Sequence, residues 1–241
     1  MYVLRSAVCV LAGTALLMAA PQTKPAAGQQ LLAGSAGATA ATLLAPGAVD
    51  WKSAPVQRVA LNRTPPLFDT DEPAAPAIAT VDVRVLRAAG KLLVQMAWHD
   101  VSNDSAALEP VPDTRPETRF HKVPTAENDR FFDAAAVMVP ATPGAKAMTP
   151  SLQMGDAGDP VDIYYWNATR GAMLMQAAGR GTTRRTGQTF PAQGQYRGGQ
   201  WSVTLELPDL PAGTSVAFAV WNGSQKDRDG RKYFSVWQIL K

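Results

Sequence analysis

Two stretches of the chain carry residue types that could bind a metal ion or a metal-containing cofactor. In the first, Met154 precedes a turn rich in Gly and Asp, and an aromatic run follows as far as Trp166. In the second, an aromatic run ends at Trp221, and a polar turn then leads through Lys226 to Lys232. A thioether sulfur is a soft ligand, and an amine is a ligand once it has lost its proton. Taken alone, however, such a Met is more typical of core packing, and such a Lys of a solvent-facing position.

The two histidines indicate no catalytic metal centre. His99 lies at the end of a strand-like run, and His121 lies in a polar insertion. Two histidines cannot build a three-His zinc site, and the chain has no HExxH motif. We therefore expect a structural or surface role for both, with His121 as a weak reserve ligand. Because the serines lack a GxSxG turn, no hydrolase site is indicated either.

A basic cluster lies in a Gly/Thr-rich stretch and consists of Arg180, Arg184 and Arg185. A solvated loop is the favoured interpretation. The alternatives are docking to an acidic partner and pairing with an anionic group of a cofactor. The net charge of +3 is too small to indicate nucleic-acid binding, and no RNA- or DNA-binding motif is present.

The elements that must position these residues are predicted to be strands. In residues 80–87, for example, Val81, Val83 and Val85 alternate with other residues. The strand-like runs are residues 80–87, 91–98, 131–139, 161–166, 171–176, 201–207, 215–221 and 232–240. The turns between them contain many of the 19 Gly and 19 Pro residues. This pattern predicts an all-β antiparallel β-sandwich with at most short helices, and with long polar loops at residues 102–128 and 141–160.

The N-terminus has the pattern of a secretory signal. Arg5 ends a short positive region, and residues 6–20 are mostly apolar but too few to span a bilayer comfortably. We predict a signal peptide over residues 1–20, a flexible leader over residues 21–48, and one domain over residues 49–241. The alternative is that the apolar run is retained as a membrane anchor.

Removal of the signal would leave the mature protein without cysteine, because Cys9 is the only one in the chain. Such a protein can hold no disulfide, no iron–sulfur cluster and no covalently attached c-type haem.

Several segments together resemble a family of haem-binding subunits. They are residues 132–137, residues 154–166, residues 219–237 and, at a strand end, the Trp-His-Asp of residues 98–100. In order and spacing they resemble the gamma subunit of ethylbenzene dehydrogenase and its relatives in dimethylsulfide dehydrogenase, selenate reductase and chlorate reductase. These enzymes form the type II branch of the dimethyl sulfoxide reductase family. The likeness runs from about residue 49 to the C-terminus.

The resemblance implies a β-sandwich that binds one non-covalent haem b through an axial Met and an axial Lys. By motif, Met154 matches the Met and Lys232 best matches the Lys. Lys226 is the rival for the amine, and Met148 is the nearest other Met, although no Gly follows it. Because two axial protein ligands leave the iron no open position, the resemblance implies electron transfer without catalysis by this chain.

The resemblance also implies partners and a compartment. The partners are a molybdenum-containing catalytic subunit, an iron–sulfur subunit, and a soluble cytochrome c or similar carrier in the periplasm. No membrane span is expected after signal cleavage. A competing hypothesis is a secreted carbohydrate-binding module that uses some of the six tryptophans to stack on sugars. A third is a structural subunit that has lost its haem.

Overall fold

The computed structural model describes residues 29–64, 78–105, 131–142 and 150–241. Over these residues the chain forms two sheets, with strands numbered along the chain. The first sheet contains β1 (Gln30–Leu31), β4 (Asn62–Arg63), β7 (Ala134–Pro140), β8 (Val161–Asn167), β9 (Gly171–Ala177), β10 (Arg184–Arg185), β13 (Ser215–Trp221), β14 (Tyr233–Phe234) and β15 (Gln238–Leu240). The second contains β2 (Ala33–Ser35), β3 (Gln57–Ala60), β5 (Thr80–Ala88), β6 (Lys91–His99), β11 (Ala192–Tyr196) and β12 (Gln200–Pro208).

The helical elements are few and short, as predicted. In the described part of the chain they are α1 (Ala40–Leu43) and 3-10 turns at Val49–Ser53 and Gly223–Gln225. None of the helices in these ranges is both long enough and apolar enough to cross a membrane.

The strand order confirms the predicted β-sandwich. The first sheet runs β1-β15-β13-β7-β8-β9-β10, and β14 pairs with both β13 and β4. The second runs β11-β12-β6-β5-β2, and β3 pairs with β5. β5 and β6 form an antiparallel hairpin, and so do β8 and β9. Within the described ranges, β1–β15 and β2–β5 are the parallel pairs, so both sheets are mixed at their margins.

Residues 29–48, which belong to the predicted leader, contain β1, β2 and α1. Leu31 on β1 and Leu43 on α1 are completely buried, and Trp51 packs in the same cluster as Leu43. The Trp51 indole donates a hydrogen bond to the Leu43 carbonyl at 2.9 Å. The amino-acid composition of residues 29–48 did not indicate this packing, because many small Ala and Gly residues separate the few large apolar side chains. The predicted signal and the first residues of the leader lie outside the described residues.

The prediction of a single strand over residues 232–240 is wrong, because this segment contains two short strands, β14 and β15. Ser235 lies between them, and its hydroxyl accepts the backbone N–H of Phe218 at 2.9 Å. The Ser235 N–H donates to the Phe218 carbonyl at 2.9 Å, so Ser235 stays joined to β13 by one backbone and one side-chain hydrogen bond.

Most of the tryptophans are buried, and Trp98, Trp166 and Trp201 lie in the main core between the two sheets. Trp51, Trp98, Trp166, Trp201 and Trp221 are each 7% exposed or less. Trp237 is partly buried, and its indole donates to the Pro150 carbonyl at 2.8 Å. Side chains packed in this way cannot stack on a polysaccharide, so the carbohydrate-binding hypothesis loses the residues that motivated it.

The two faces of the first sheet differ in side-chain size. Since directly paired residues point to the same side of a sheet, the register defines both faces. The inner face, toward the second sheet, carries Phe218, Val137, Tyr164 and Trp166. The outer face carries small residues on its two central strands, namely Ala134, Ala136, Ala217 and Ala219. These alanines therefore form a shallow apolar floor, with space above it for another group.

Candidate functional site

Met154 and Lys232 meet over the outer face of the first sheet. The two residues are 78 positions apart in sequence, yet the Lys232 Nζ lies 3.5 Å from the Met154 Sδ. Lys232 Nζ also lies 5.4 Å from the centre of the Trp221 ring. The structure thus places one sulfur donor and one nitrogen donor side by side, at the wall of a cleft.

The Met154 side chain is positioned by a strained turn just before β8. Met154 and Gly155 both have positive φ angles, 75° and 73°. A Cβ atom on Gly155 would lie 2.8 Å from the Asp159 carbonyl oxygen, so only glycine fits there. The Asp156 side chain closes the turn by accepting the N–H groups of Gly158 and Asp159. A non-glycine residue held at positive φ stores strain of the kind often found at functional sites.

Lys232 is positioned from the other side, directly before β14. Its carbonyl oxygen accepts both the N–H and the hydroxyl of Thr64, each at 2.9 Å. The loop that precedes it is held by Asp227, whose buried carboxylate pairs with Arg63 and accepts the N–H of Asn222. The side-chain direction of Lys232 therefore follows from backbone contacts on both sides of it.

Burial changes the chemistry of the Lys232 amine. Removal from water lowers the pKa of Lys232 from its usual 10.5, and the negative charge of Asp229 opposes that shift only in part. A lowered pKa makes the neutral amine, which is the form that binds metals, more accessible near neutral pH. The sequence pattern suggested a solvent-facing side chain, but the structure places it half-buried.

A cleft of about 640 Å³ opens beside this pair, which is within the usual range for small-molecule and cofactor sites. Met154 and Lys232 both line it, together with Trp221 and Tyr165, whose rings meet edge to face at 5.2 Å. Met173 and Met175 on β9 line its far side. A smaller cavity of about 40 Å³ behind the pair is lined by Ala136, Ala217 and Ala219 among others.

These residues fit the group that the resemblance implies. The cleft offers an apolar and aromatic surface for a flat macrocycle, with a thioether and an amine at its wall. Both donor side chains are unbranched and have several rotatable bonds, so they can part to admit a metal atom between them. Among the described residues no cluster of three or more His, Cys, Asp or Glu side chains could hold a metal ion instead.

The rival ligands are placed differently. Lys226 is exposed, has a φ of 57°, and ends the 3-10 turn Gly223–Gln225 with its backbone N–H on the Gly223 carbonyl. It does not line the cleft. His99 is exposed at the end of β6, away from the residues that line the cleft. His121 and Met148 lie outside the described residues.

Asp133 is a supporting residue whose role sequence reasoning missed. Its fully buried carboxylate accepts the N–H of Gly223 at 2.9 Å, the N–H of Asp104 at 2.8 Å and the indole N–H of Trp201 at 2.8 Å. Burial raises the pKa of Asp133, and the three donors oppose that shift. Asp133 thereby ties β7 to the loop that carries Lys232. An acidic residue directly before an all-apolar run was the available signal.

Gly223 is required by the same contact. A Cβ atom there would lie 2.5 Å from the Asp104 Cβ and 2.6 Å from the Phe131 carbonyl oxygen. The Asn-Gly pair in the second distinctive stretch therefore reflects close backbone approach rather than binding chemistry.

The basic cluster divides between two surfaces. Arg180 and Arg185 line the cleft, whereas Arg184 does not and donates instead to the Gln176 side chain at 2.8 Å. Arg170 and Arg228 line the cleft as well. The cleft thus has a cationic rim in addition to its apolar floor.

Comparison with known proteins points in the same direction as the site. Residues 48–190, which include Met154, match the family model described as ethylbenzene dehydrogenase. A putative respiratory nitrate reductase heme subunit of Haloferax mediterranei is 30% identical over 78% of this chain, but the aligned part spans only 64% of that relative. The chlorate reductase subunit gamma of Ideonella dechloratans is 28% identical over 80% of this chain and 78% of its own length.

A further relative is the dimethylsulfide dehydrogenase subunit gamma of Rhodovulum sulfidophilum. It is 26% identical over 79% of this chain and 72% of its own length. The family match covers more than half of the residues, and it includes the turn that presents Met154. The chain therefore belongs to the ethylbenzene dehydrogenase family.

Proposed function

We propose that this chain is a periplasmic electron-transfer subunit that binds one non-covalent haem b, with Met154 and Lys232 as axial ligands. The observation that carries the proposal is the 3.5 Å approach of Lys232 Nζ to Met154 Sδ at the wall of the cleft. The relatives named as a heme subunit and as gamma subunits support it. Haem, when bound, would supply one-electron chemistry at its iron.

The residues of the chain define what that chemistry can be. Met154 supplies a soft sulfur that favours the reduced metal, which raises the reduction potential. Lys232 supplies an amine whose burial favours the neutral form. If Met154 and Lys232 both held the iron, the site would leave no open position for a substrate, and the chain would act as a relay rather than as a catalyst.

The tertiary structure supports rapid and reversible electron transfer. Met154 is held by the turn before β8 and Lys232 by the Thr64 contacts, so the ligands need little rearrangement between redox states. The Trp221 ring and the alanines that line the smaller cavity present apolar surface beside the two donors. Burial of the Lys232 amine also disfavours its protonation.

The assembly that we propose contains a molybdenum-dependent catalytic subunit and an iron–sulfur subunit, with a soluble cytochrome c or similar carrier as the other redox partner. Two relatives are named as gamma subunits of a reductase and of a dehydrogenase, which supports a role within a larger complex. The apolar N-terminal run supports export to the periplasm.

A visible spectrum of the protein from a periplasmic extract, oxidised and then reduced with dithionite, tests the proposal. We expect a six-coordinate b-type spectrum and about one haem per chain in a pyridine haemochrome assay. A protein that stays colourless after addition of haem would contradict the proposed function.

Variants of the donors test the ligand assignment. Met154→Ala should lower the reduction potential or release the haem, and Lys232→Ala should shift the spectrum or release the haem. Lys226→Ala is the matched control, since Lys226 is an exposed lysine of the same loop that does not reach the cleft. If Lys226→Ala alone disturbs the spectrum, Lys232 is not the ligand.

A further inference from the structure

The cationic rim of the cleft gives the site a direction. Arg185 lies directly opposite Met175 in the β9–β10 pair, and side chains at paired positions point to the same face. Met175 lines the cleft, and so does Arg185. Arg184, the next residue, pairs with Gln176, and its guanidinium bonds to the Gln176 side chain. Two adjacent arginines of equal charge therefore face different surroundings.

Arg180 is linked to the Met154 turn through the backbone. The N–H of Gly179 donates to the Met154 carbonyl at 2.9 Å, so Arg180 follows directly after the residue that holds the proposed ligand in place. The loop is closed by Thr182, whose hydroxyl donates to the Gly179 carbonyl at 2.7 Å and accepts the Ala178 N–H at 2.8 Å. The position of Arg180 relative to Met154 is thus fixed by short hydrogen bonds.

Arg180 and Arg185 are both exposed and have no carboxylate within salt-bridge distance in the part of the chain that the structure describes. Arg63, in contrast, is paired with the buried Asp227. The charge of Arg185 also acts on the cleft itself. Burial, and the negative charge of Asp229, raise the pKa of the Tyr165 hydroxyl, whereas the hydrogen bond with Asn167 and the positive charges of Arg170 and Arg185 lower it. Asp227 and Asp229 also line the cleft, but they pair with Arg63 and Arg228. Two guanidinium groups without an acidic partner at the edge of the cleft form a site for carboxylates.

We infer that Arg180 and Arg185 bind the two carboxylates of the cofactor, the propionate groups of haem, and thereby set its orientation in the cleft. This inference rests on the proposed function. Guanidinium groups pair with carboxylates through two parallel hydrogen bonds, which fixes an angle as well as a distance. Arg180 and Arg185 would then hold the propionates on the side of β9 and β10, and Met154 and Lys232 would hold the iron.

Reconstitution of the purified apoprotein tests the inference with two probes, ferric haem b and its dimethyl ester, in which both propionates are uncharged. Binding is measured by titration in the Soret region, and ligation by the low-spin spectrum. The variants are Arg180→Gln with Arg185→Gln as a pair, and Arg184→Gln as the control with the same loss of charge. Circular dichroism of each apoprotein checks the fold.

We expect the double variant to bind haem about tenfold to a hundredfold more weakly than the wild type, because charge-assisted hydrogen bonds are lost. Arg184→Gln should bind haem like the wild type. The dimethyl ester should bind the wild type more weakly than haem does, and the double substitution should not weaken it further, since the partner groups are already removed.

The outcomes separate the inference from the function on which it rests. If the wild type binds haem with a six-coordinate spectrum and the double variant binds it equally well, the rim arginines do not hold the propionates. Equal wild-type affinity for haem and its ester would also overturn the inference, even if a variant failed to fold. If the wild type binds neither probe, the proposed function fails first.

Discussion

The two faces of the first sheet show how one set of strands serves both stability and binding. The inner face presents bulky side chains to the second sheet, and Trp166 and Trp201 meet there with ring centres 5.3 Å apart. The outer face presents alanines, Met138 and Met175, with Lys232 and Arg185 at its margins. Large side chains fill the space on the inner face, whereas the alanines of β7 and β13 leave space on the outer face beside Trp221 and Tyr165. The inner face of the sheet therefore contributes to the core, and the outer face has room to bind a ligand.

The largest effect should come from a cavity on the inner face. Trp166 is 6% exposed and packs so closely on Gly194 that a Cβ there would lie 2.2 Å from its ring. Trp166→Ala should lower the free energy of unfolding by about 3–5 kcal/mol, because large-to-small core substitutions leave a cavity. Urea unfolding of the apoprotein measures this. A loss below about 1 kcal/mol would contradict the assignment of Trp166 to the main core.

A small-to-large substitution on the outer face should change the free energy of unfolding and haem binding to different extents. Ala136 lies on β7, opposite Ala219 and Tyr165, and lines the small cavity behind the donor pair. Ala136→Leu should change the free energy of unfolding by about 1–3 kcal/mol through overpacking. Haem binding should decrease far more, since the added side chain rises from the floor of the site. Unfolding curves and Soret titrations of the same preparation compare the two effects, and unchanged haem affinity would show that the floor is not used.

The buried amine of Lys232 on the outer face should lower the stability of the apoprotein. Lys232→Met removes a charge that burial disfavours, so the apoprotein should become more stable by about 1 kcal/mol near pH 7, while haem ligation is altered. Below the usual pKa of 10.5, the unfolded chain binds a proton more readily than the folded chain. The stability of the wild type therefore rises with pH through that window, and the advantage of the variant should shrink as the pH approaches 10.5.

Thermal unfolding of both apoproteins across this pH range measures the difference. A constant difference at every pH would show that the amine is not desolvated in the folded protein. Lys226→Met is the matched control, since the Lys226 side chain is exposed and its replacement should leave the pH dependence unchanged.

A separate pH effect is expected at Asp100, a buried carboxylate directly after β6 that does not line the cleft. Burial, and next the nearby Asp133, raise the pKa of Asp100 from 3.8 to about 6. Between these values the folded state binds the proton more readily, so the stability of the wild type falls as pH rises toward 6. Asp100→Asn should therefore be more stable than the wild type above pH 6 and similar to it below about pH 4.

Calorimetry at pH 4 and pH 7 tests this, with Asp209→Asn as an exposed carboxylate control. An Asn variant that is less stable than the wild type at pH 7 would show that Asp100 is stabilised as the anion. Haem binding should be unaffected by either change.

The sequence by itself determined the strands and much of the site composition. Alternating valines defined β5, an unbroken apolar run defined β7, and the order of short motifs indicated the family. The same reasoning missed the structure of residues 29–48, because widely spaced anchors such as Leu31 and Leu43 carry no period that a sequence window detects. It also assigned Asp133 no role, since the partners of its carboxylate lie on three separate segments.

Only the tertiary structure decided which residues meet. The motif match left Lys226 as a rival, and the antiparallel pairing of β13 with β14 then placed Lys232 over the outer face while the 3-10 turn left Lys226 exposed. The pairing of β9 with β10 likewise turned Arg185 toward the cleft and left Arg184 outside it. Local sequence fixes backbone propensity within a few residues, but contacts between residues 78 positions apart depend on strand register, which the whole sheet determines.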